Sequence, residues 1–406
     1  MNDRKGTNPQ KVEYKQSRKE ENEMRKLITM SLIVFLVVVL TYGFAAAITG
    51  QCSNCHTMHN SQNGLGEVQT YSNGSISTGG TTPQDYLLRA SCIACHAGST
   101  GETNSFGAPI VLHTTNPTGQ GAAQTLAGGD FYWVADGLGN NDTMGHNVSG
   151  IAGQDGSITP ANTPPGFDSS ATSGFAFGQV GSTWTSNQLS CDGTYGCHGM
   201  HNSNGITGAH HGNTGLTSNQ CNVADTVGNS YRFLGGIKGL EKAHWNWDET
   251  ASTHNEYYGV NSPDNRDLSS TTYSDKATIS FSCAECHGYF HSRIDSSTTG
   301  ATPWRRHPTD INLPNKTEYA SYNPDNSNQY SVEAPVARPT IPSSSSATVV
   351  PGGAGDTGAI VMCLSCHRAH GSPVADILRW DYTTMQAGTG TSDTGCFTCH
   401  TTKNAD

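Results

Sequence analysis

Five stretches of this 406-residue chain repeat one word, two cysteines three positions apart with a histidine directly after the second. They are CSNCH (Cys52, Cys55, His56), CIACH (Cys92, Cys95, His96), CAECH (Cys283, Cys286, His287), CLSCH (Cys363, Cys366, His367) and CFTCH (Cys396, Cys399, His400). A sixth stretch, CDGTYGCHGMH, keeps the Cys-His ending at Cys197 and His198, but five residues separate Cys197 from its first cysteine, Cys191. Twelve of the 13 cysteines sit in these words, and only Cys221 stands outside.

Each regular word is the attachment sequence of a c-type haem. Disulfides or zinc are the alternatives for closely spaced cysteines. Neither explains why a histidine follows the second cysteine six times in a chain with 17 histidines among 406 residues. The spacing has a physical reason. On one helical turn, positions three and four apart share a face. The two cysteines can then form thioethers to one porphyrin, and the histidine can turn its imidazole to the iron as proximal ligand. Six covalently attached haem c groups follow, with His56, His96, His198, His287, His367 and His400 as proximal ligands.

Composition agrees. Only 34% of residues are hydrophobic and 47 are glycine, so the chain has little of its own with which to offset ordering entropy. The porphyrins would supply the missing apolar surface. The expected fold is a multihaem cytochrome c, mostly coil with short helical turns and few short strands wrapped around a stacked haem chain. Short strands are expected near Tyr132-Trp133-Val134 and Tyr231-Arg232-Phe233. Residues 147–190 read as long surface loop and residues 334–357 as a Pro/Ser-rich connector. The words are unevenly spaced, so no regular solenoid is expected.

Residues 27–47 are one apolar run, long enough to span a bilayer. They also read as a signal peptide, because Met24-Arg25-Lys26 is a short basic start and Ala45-Ala46-Ala47 a small-residue cleavage site. The expected organisation is a signal region over 1–47, with cleavage after Ala47, and a single hexahaem domain over 48–406. The polar segment 1–23 adds nothing to a signal, so Met24 is a candidate start of translation. Residues 1–47 carry eight of the 22 Lys/Arg and five of the 33 Asp/Glu, leaving 14 basic and 28 acidic side chains and a net charge of −14. That argues against nucleic acid as a partner.

Distal ligands must come from the other eleven histidines. His59, His201 and His370 each lie three residues after a proximal histidine. One helical turn further on, such a ring cannot easily reach its neighbour's iron but can reach the next haem. His113, His146 and His307 lie between haem words and complete the expected set, with His291 as the competitor of His307. His210 and His211, adjacent in a Gly-rich loop, are expected to face solvent, and His244 and His254 to serve no iron. In the irregular word, Gly193 and Gly196 let the extra residues loop out. The expectation is a haem on both Cys191 and Cys197; the rival is attachment through Cys197 alone, with Cys191 unmodified or paired to Cys221.

Beyond these words, the chain resembles the OmcS-type hexahaem outer-surface cytochromes, in CSNCHTMHNS, GGDFYWV, GHNV, the NQLSC and CHGMH words, YRFLGG, His307-Pro308 and CLSCHRAHGS. It departs from that family at the third haem's spacing and over residues 210–265. The resemblance implies low-spin bis-histidine haems stacked in a chain and head-to-tail assembly into filaments, with His59 ligating a haem of the next subunit. It also implies electron transfer outside the cell to other cytochromes or mineral oxides, without substrate turnover. A periplasmic shuttle that never polymerises is the first alternative, and a multihaem reductase enzyme the second.

Overall fold

A chain this rich in glycine, built around single-turn words, should form only brief regular elements, and it does. The structure, a computed structural model, describes residues 18–19, 22–26, 51–62, 64–72, 75–104, 107–117, 125–158, 163–167, 184, 186–211, 220–242, 249–261, 275–291, 307–388 and 394–403. Among them the longest helix is Ile279–Ala284 and the longest strand Ser75–Gly80. The remainder is single 3-10 turns, two- and three-stranded ladders and loop.

Two compact units are present, Met1–Ala46 and Ala47–Asp406. In the first, residues 22–26 are helical, with Lys26 paired to Glu23 at 2.9 Å. The apolar run and the expected cleavage point lie outside the described residues. Among the described residues no helix is long and apolar enough to cross a membrane.

Among its described residues the second unit holds three small apolar cores. One gathers Ile93, Leu112, Phe131, Val134, Val148 and Ile151. The next gathers Tyr231, Ile237, Tyr257, Ile279, Ile360 and Met362. The third gathers Leu313, Tyr322, Tyr330, Val336, Val349 and Val361. At about 1.5–3 kcal/mol per buried large side chain, each core is modest by itself.

Three expectations are corrected here. Residues 334–357 are no connector, because Ala334, Val336, Ala337 and Arg338 are fully buried. Arg338 satisfies its guanidinium on Glu256 Oε2 (3.1 Å) and on the carbonyls of Ser346, Thr348 and Gly358. That charge-assisted knot ties the segment inside the fold. Nor is 147–190 all surface loop, since Val148, Ile151 and Ala152 are core residues. The strands expected at Tyr132 and Tyr231 are instead 3-10 turns, Phe131–Trp133 and Tyr231–Phe233. Asp130 caps the first by accepting from Tyr132 N, and positive φ at Arg232 and Phe233 bars the second from a ladder.

That second turn belongs to a device used three times among the described residues. His56 donates its Nδ1–H to Tyr86 O (3.0 Å), and Thr57 N donates to Leu87 O (2.7 Å). His198 and Gly199 do the same to Arg232 O (2.9 Å) and Phe233 O (2.6 Å). His367 and Arg368 repeat it on Asp376 O (2.9 Å) and Ile377 O (2.8 Å). In every latch two successive residues other than glycine adopt positive φ: Tyr86 and Leu87, Arg232 and Phe233, Asp376 and Ile377. Left-handed backbone costs about 1–2 kcal/mol per residue. The conformation turns two successive carbonyls toward the haem word, and the bonds they accept offset that cost.

Candidate haem centres

Each regular word closes as one turn. The histidine amide donates to the first cysteine's carbonyl at His56 (2.8 Å), His287 (2.9 Å), His367 (3.1 Å) and His400 (3.0 Å), while Cys92–His96 is an α-helical turn. Both thiols and the imidazole of a word therefore leave the same short stretch of backbone. None of the thirteen cysteines forms a disulfide.

All six proximal imidazoles are oriented through Nδ1. Besides the three latched rings, His96 bonds to Pro109 O (2.8 Å), His287 to Pro165 O (2.7 Å) and His400 to Glu318 Oε1 (3.0 Å). Donation from Nδ1 leaves the lone pair on Nε2, the nitrogen a metal would take, and raises its basicity.

The distances between rings test whether iron fits. Metal–nitrogen bonds of about 2.0 Å, with about 1.2 Å from each nitrogen to its ring centre, set two axial imidazoles roughly 6.4 Å apart. Four pairs match. His96 lies 6.3 Å from His210, and His287 6.3 Å from His146. His198 lies 6.4 Å from His370, and His400 6.0 Å from His307. His146 and His307 also bond through Nδ1, to Ala369 O (2.8 Å) and Pro308 O (2.9 Å). Phe131 stacks on His370 at 4.7 Å. Burial lowers the pKa of His96, His146, His198 and His370, His146 to about 4 and His370 to about 3. These rings are neutral at pH 7, as ligation requires.

Two histidines expected as ligands are arranged otherwise. His113 is fully buried, with Nδ1 2.6 Å from Asp130 Oδ2 and Nε2 2.9 Å from Gly101 O. Both nitrogens face acceptors. Burial opposes the charged ring, but the Asp130 carboxylate outweighs it and raises the pKa. With Nδ1 and Nε2 both engaged by oxygen acceptors, the ring as placed turns no lone pair toward an iron. Asp130 also accepts from the amides of His113 and Tyr132, and its own amide bonds to Gly371 O (3.0 Å). The pair therefore fixes the segment against which His370 lies, where a Cβ on Gly129 would run into the Gly371 carbonyl. His201 is likewise held by Glu285 Oε2 (3.0 Å) and Gly193 O (3.4 Å), and despite burial the carboxylate raises its pKa. In this arrangement neither serves as an axial ligand.

His59 is exposed. His254 bonds to Thr250 O and Glu256 and stacks on Tyr330 at 3.6 Å. His244 and the side chains of His211 and His291 lie outside the described residues. The ring that sequence reasoning did not expect opposite a proximal histidine is His210. Its signal was present in AHH, paired histidines in a loop that a second haem could draw inward.

The thiols give the order of the centres. Burial first, then the thiols of Cys55 and Cys92, push Cys95 up to about 11, placing the first word beside the second. Cys92 and Cys191 share a thiol hydrogen bond, as do Cys283 and Cys363. Cys197 lies within the electrostatic reach of Cys283 and Cys286. Cys366 is pushed up to about 12 by burial and then by Cys396. The six words thus form one string in sequence order. His370 crosses it, from the fifth word to the ring of the third.

The irregular word is extended, not helical. Ser190–Asp192 and Gly196–His198 run parallel, with Asp192 beside His198. Gly193, at φ 82°, closes the loop with a Gly196 N to Gly193 O bond of 3.0 Å. Cys191 lies near both Cys92 and Cys197. Cys221, fully buried in a ladder with Gly239, belongs to a different core, so the Cys191–Cys221 pairing is set aside.

Among known proteins, a doubled CXXCH motif family matches residues 357–405. The chain is 25% identical to the C-type cytochrome OmcS of Geobacter sulfurreducens over 417 residues, 91% of this chain and 89% of the relative. The solved outer membrane cytochrome S filament of that organism aligns at 21% identity over 85% of this chain and 86% of the other, with a TM-score of 0.45. OmcS nanowires align at 23% identity over 82% and 84%, with a TM-score of 0.41. The likeness seen in the motif words thus extends along most of the sequence.

Proposed function

We propose that this chain is an exported hexahaem c-type cytochrome that carries electrons over long range outside the cell, assembled head to tail into filaments. The observation that carries this reading is the set of four imidazole pairs at iron-spanning distance, strung in sequence order. The likeness to a C-type cytochrome, over nine-tenths of the chain, supports it. Haem, when bound, supplies one-electron Fe(III)/Fe(II) exchange.

The protein's residues do the rest. Cys52/Cys55, Cys92/Cys95, Cys191/Cys197, Cys283/Cys286, Cys363/Cys366 and Cys396/Cys399 tether the six groups. The histidine pairs that would hold iron are His96/His210, His198/His370, His287/His146 and His400/His307. With two histidines so engaged, an iron would have no place for substrate, which favours conduction over catalysis. For the first centre we assign His211. The hydroxyl of Tyr86, whose carbonyl holds His56, bonds to Thr207 at 3.2 Å, just before the Ala209–His211 turn.

For the fifth centre we assign His59 of the partner subunit. Among the described residues no imidazole stands opposite His367 at ligation distance, and His367 is exposed. His59 is exposed next to Met58 (81% exposed), and Leu65 (69%), Tyr86 and Leu87 are exposed apolar side chains of the same N-terminal part of the unit. Exposed apolar side chains of this kind suit a protein contact. A ligand donated forward makes a heterologous interface, which propagates into a filament. The test is electron microscopy of material sheared from cells. Filaments with six haems per subunit are expected; isolated periplasmic particles would sink the polymer and leave a shuttle. Cleavage after Ala47 is proposed on the same reading and is decided by N-terminal sequencing of the mature protein; a start at Met24 is decided by N-terminal sequencing of a cleavage-blocked precursor.

A further inference from the structure

The head-to-tail reading has a geometric remainder, and the inference rests on that reading. Five of the six centres take both axial histidines from one chain under the assignments above. The fifth, at His367, takes one from a neighbour. In a filament every His367 is served except in the one terminal subunit that has no neighbour to offer His59. We propose that this end is a ligand-binding site, one per filament, at which the iron on His367 takes a small neutral ligand.

Three features shape the site. His367 is exposed, whereas Arg368, the residue after it, is buried. The ring is also firmly set without a neighbour. Its Nδ1 bonds to Asp376 O (2.9 Å), and Arg379 N bonds to Cys366 O (2.8 Å). Arg379, fully buried, also donates to the carbonyls of Leu364, His367 and Val332. The proximal side therefore stays in place when the distal side is unserved.

The third feature is charge. Asp376 and Asp381 are the exposed charged groups on the segment that holds the ring, and the chain past residue 47 carries a net −14. An anion approaching this end is repelled. The ligands that fit are neutral lone-pair donors, carbon monoxide on the reduced haem and imidazole on the oxidised one. Binding is coordination alone, in which the ligand's lone pair is donated to iron with no electron or proton transferred.

The test uses carbon monoxide on reduced, intact filaments. Wild-type filaments are sheared to a series of mean lengths measured by microscopy, and bound carbon monoxide per haem is read from the difference spectrum. Binding per haem should rise in inverse proportion to length, doubling when mean length is halved. The non-assembling His59→Ala protein should bind one carbon monoxide per six haems, and imidazole should return its oxidised form to fully low spin. Binding that does not depend on length, in preparations that plainly form filaments, overturns the end site and leaves conduction intact. Absence of filaments from wild type, with a His59→Ala spectrum unchanged from it, overturns the head-to-tail reading itself.

Discussion

Replacing His210 with alanine separates two assignments that the sequence alone would reverse. The His210 ring centre lies 6.3 Å from that of His96 and packs 5.3 Å from Phe233. Its loss should leave the iron on His96 with one axial imidazole. One haem in six then turns high spin, and exogenous imidazole restores it. Stability should fall only by about 1 kcal/mol, the scale of one lost aromatic contact. His113→Ala should behave in the opposite way. It removes one half of a buried pair at 2.6 Å and leaves the Asp130 carboxylate uncompensated. Breaking such a pair costs about 3–5 kcal/mol, while all six haems stay low spin. The assay is the same for both: absorption and magnetic circular dichroism for spin state, and denaturant titration for stability. A high-spin haem in His113→Ala, with none in His210→Ala, would refute the reasoning.

The His307–His400 rings stand at 87°, whereas the other three pairs lie between 35° and 50°. Near-perpendicular axial planes give a strongly anisotropic low-spin signal in electron paramagnetic resonance, so one such haem is expected, and His307→Met should abolish it. Among the six proximal rings His400 alone gives its Nδ1–H to a carboxylate, that of Glu318, which makes the ring more basic. Glu318→Gln should raise the reduction potential of one haem, read by spectroelectrochemistry. The raised pKa of His113 means the folded state binds its proton more tightly than the unfolded one. Its contribution is full below the unfolded pKa of about 6.5 and is lost as pH rises through the folded value. Stability measured against pH should decline in that window, and His113→Phe should remove the decline. Cys191→Ser should keep its haem through Cys197 with one thioether fewer, visible as a mass change; an unaltered thioether count would show Cys191 to be unattached.

The sequence by itself determined the attachment words, because attachment chemistry is local. Two thiols and an imidazole need only one turn of chain, and residues 52–56 or 396–400 contain that turn entire. It also foretold a coil-rich fold, since so few apolar residues cannot build long elements. Less visible were the latches. Tyr86-Leu87-Leu88, Arg232-Phe233-Leu234 and Asp376-Ile377-Leu378 share a backbone shape that their side chains hardly announce. The Pro/Ser-rich stretch at 334–357 looked like a linker because its polarity was legible and its partner Arg338 network was not.

Which histidine rings face one another was decided only by tertiary structure. A histidine serves iron when its Nε2 lone pair faces the metal and its ring stays neutral. Both conditions depend on what distant segments bring up. His113 and His210 look alike in sequence, but Asp130 and Gly101 engage both nitrogens of one, while the fold carries the other to His96. Spacing says which residues can reach an iron, and only the packed chain decides which nitrogen is left to bind it.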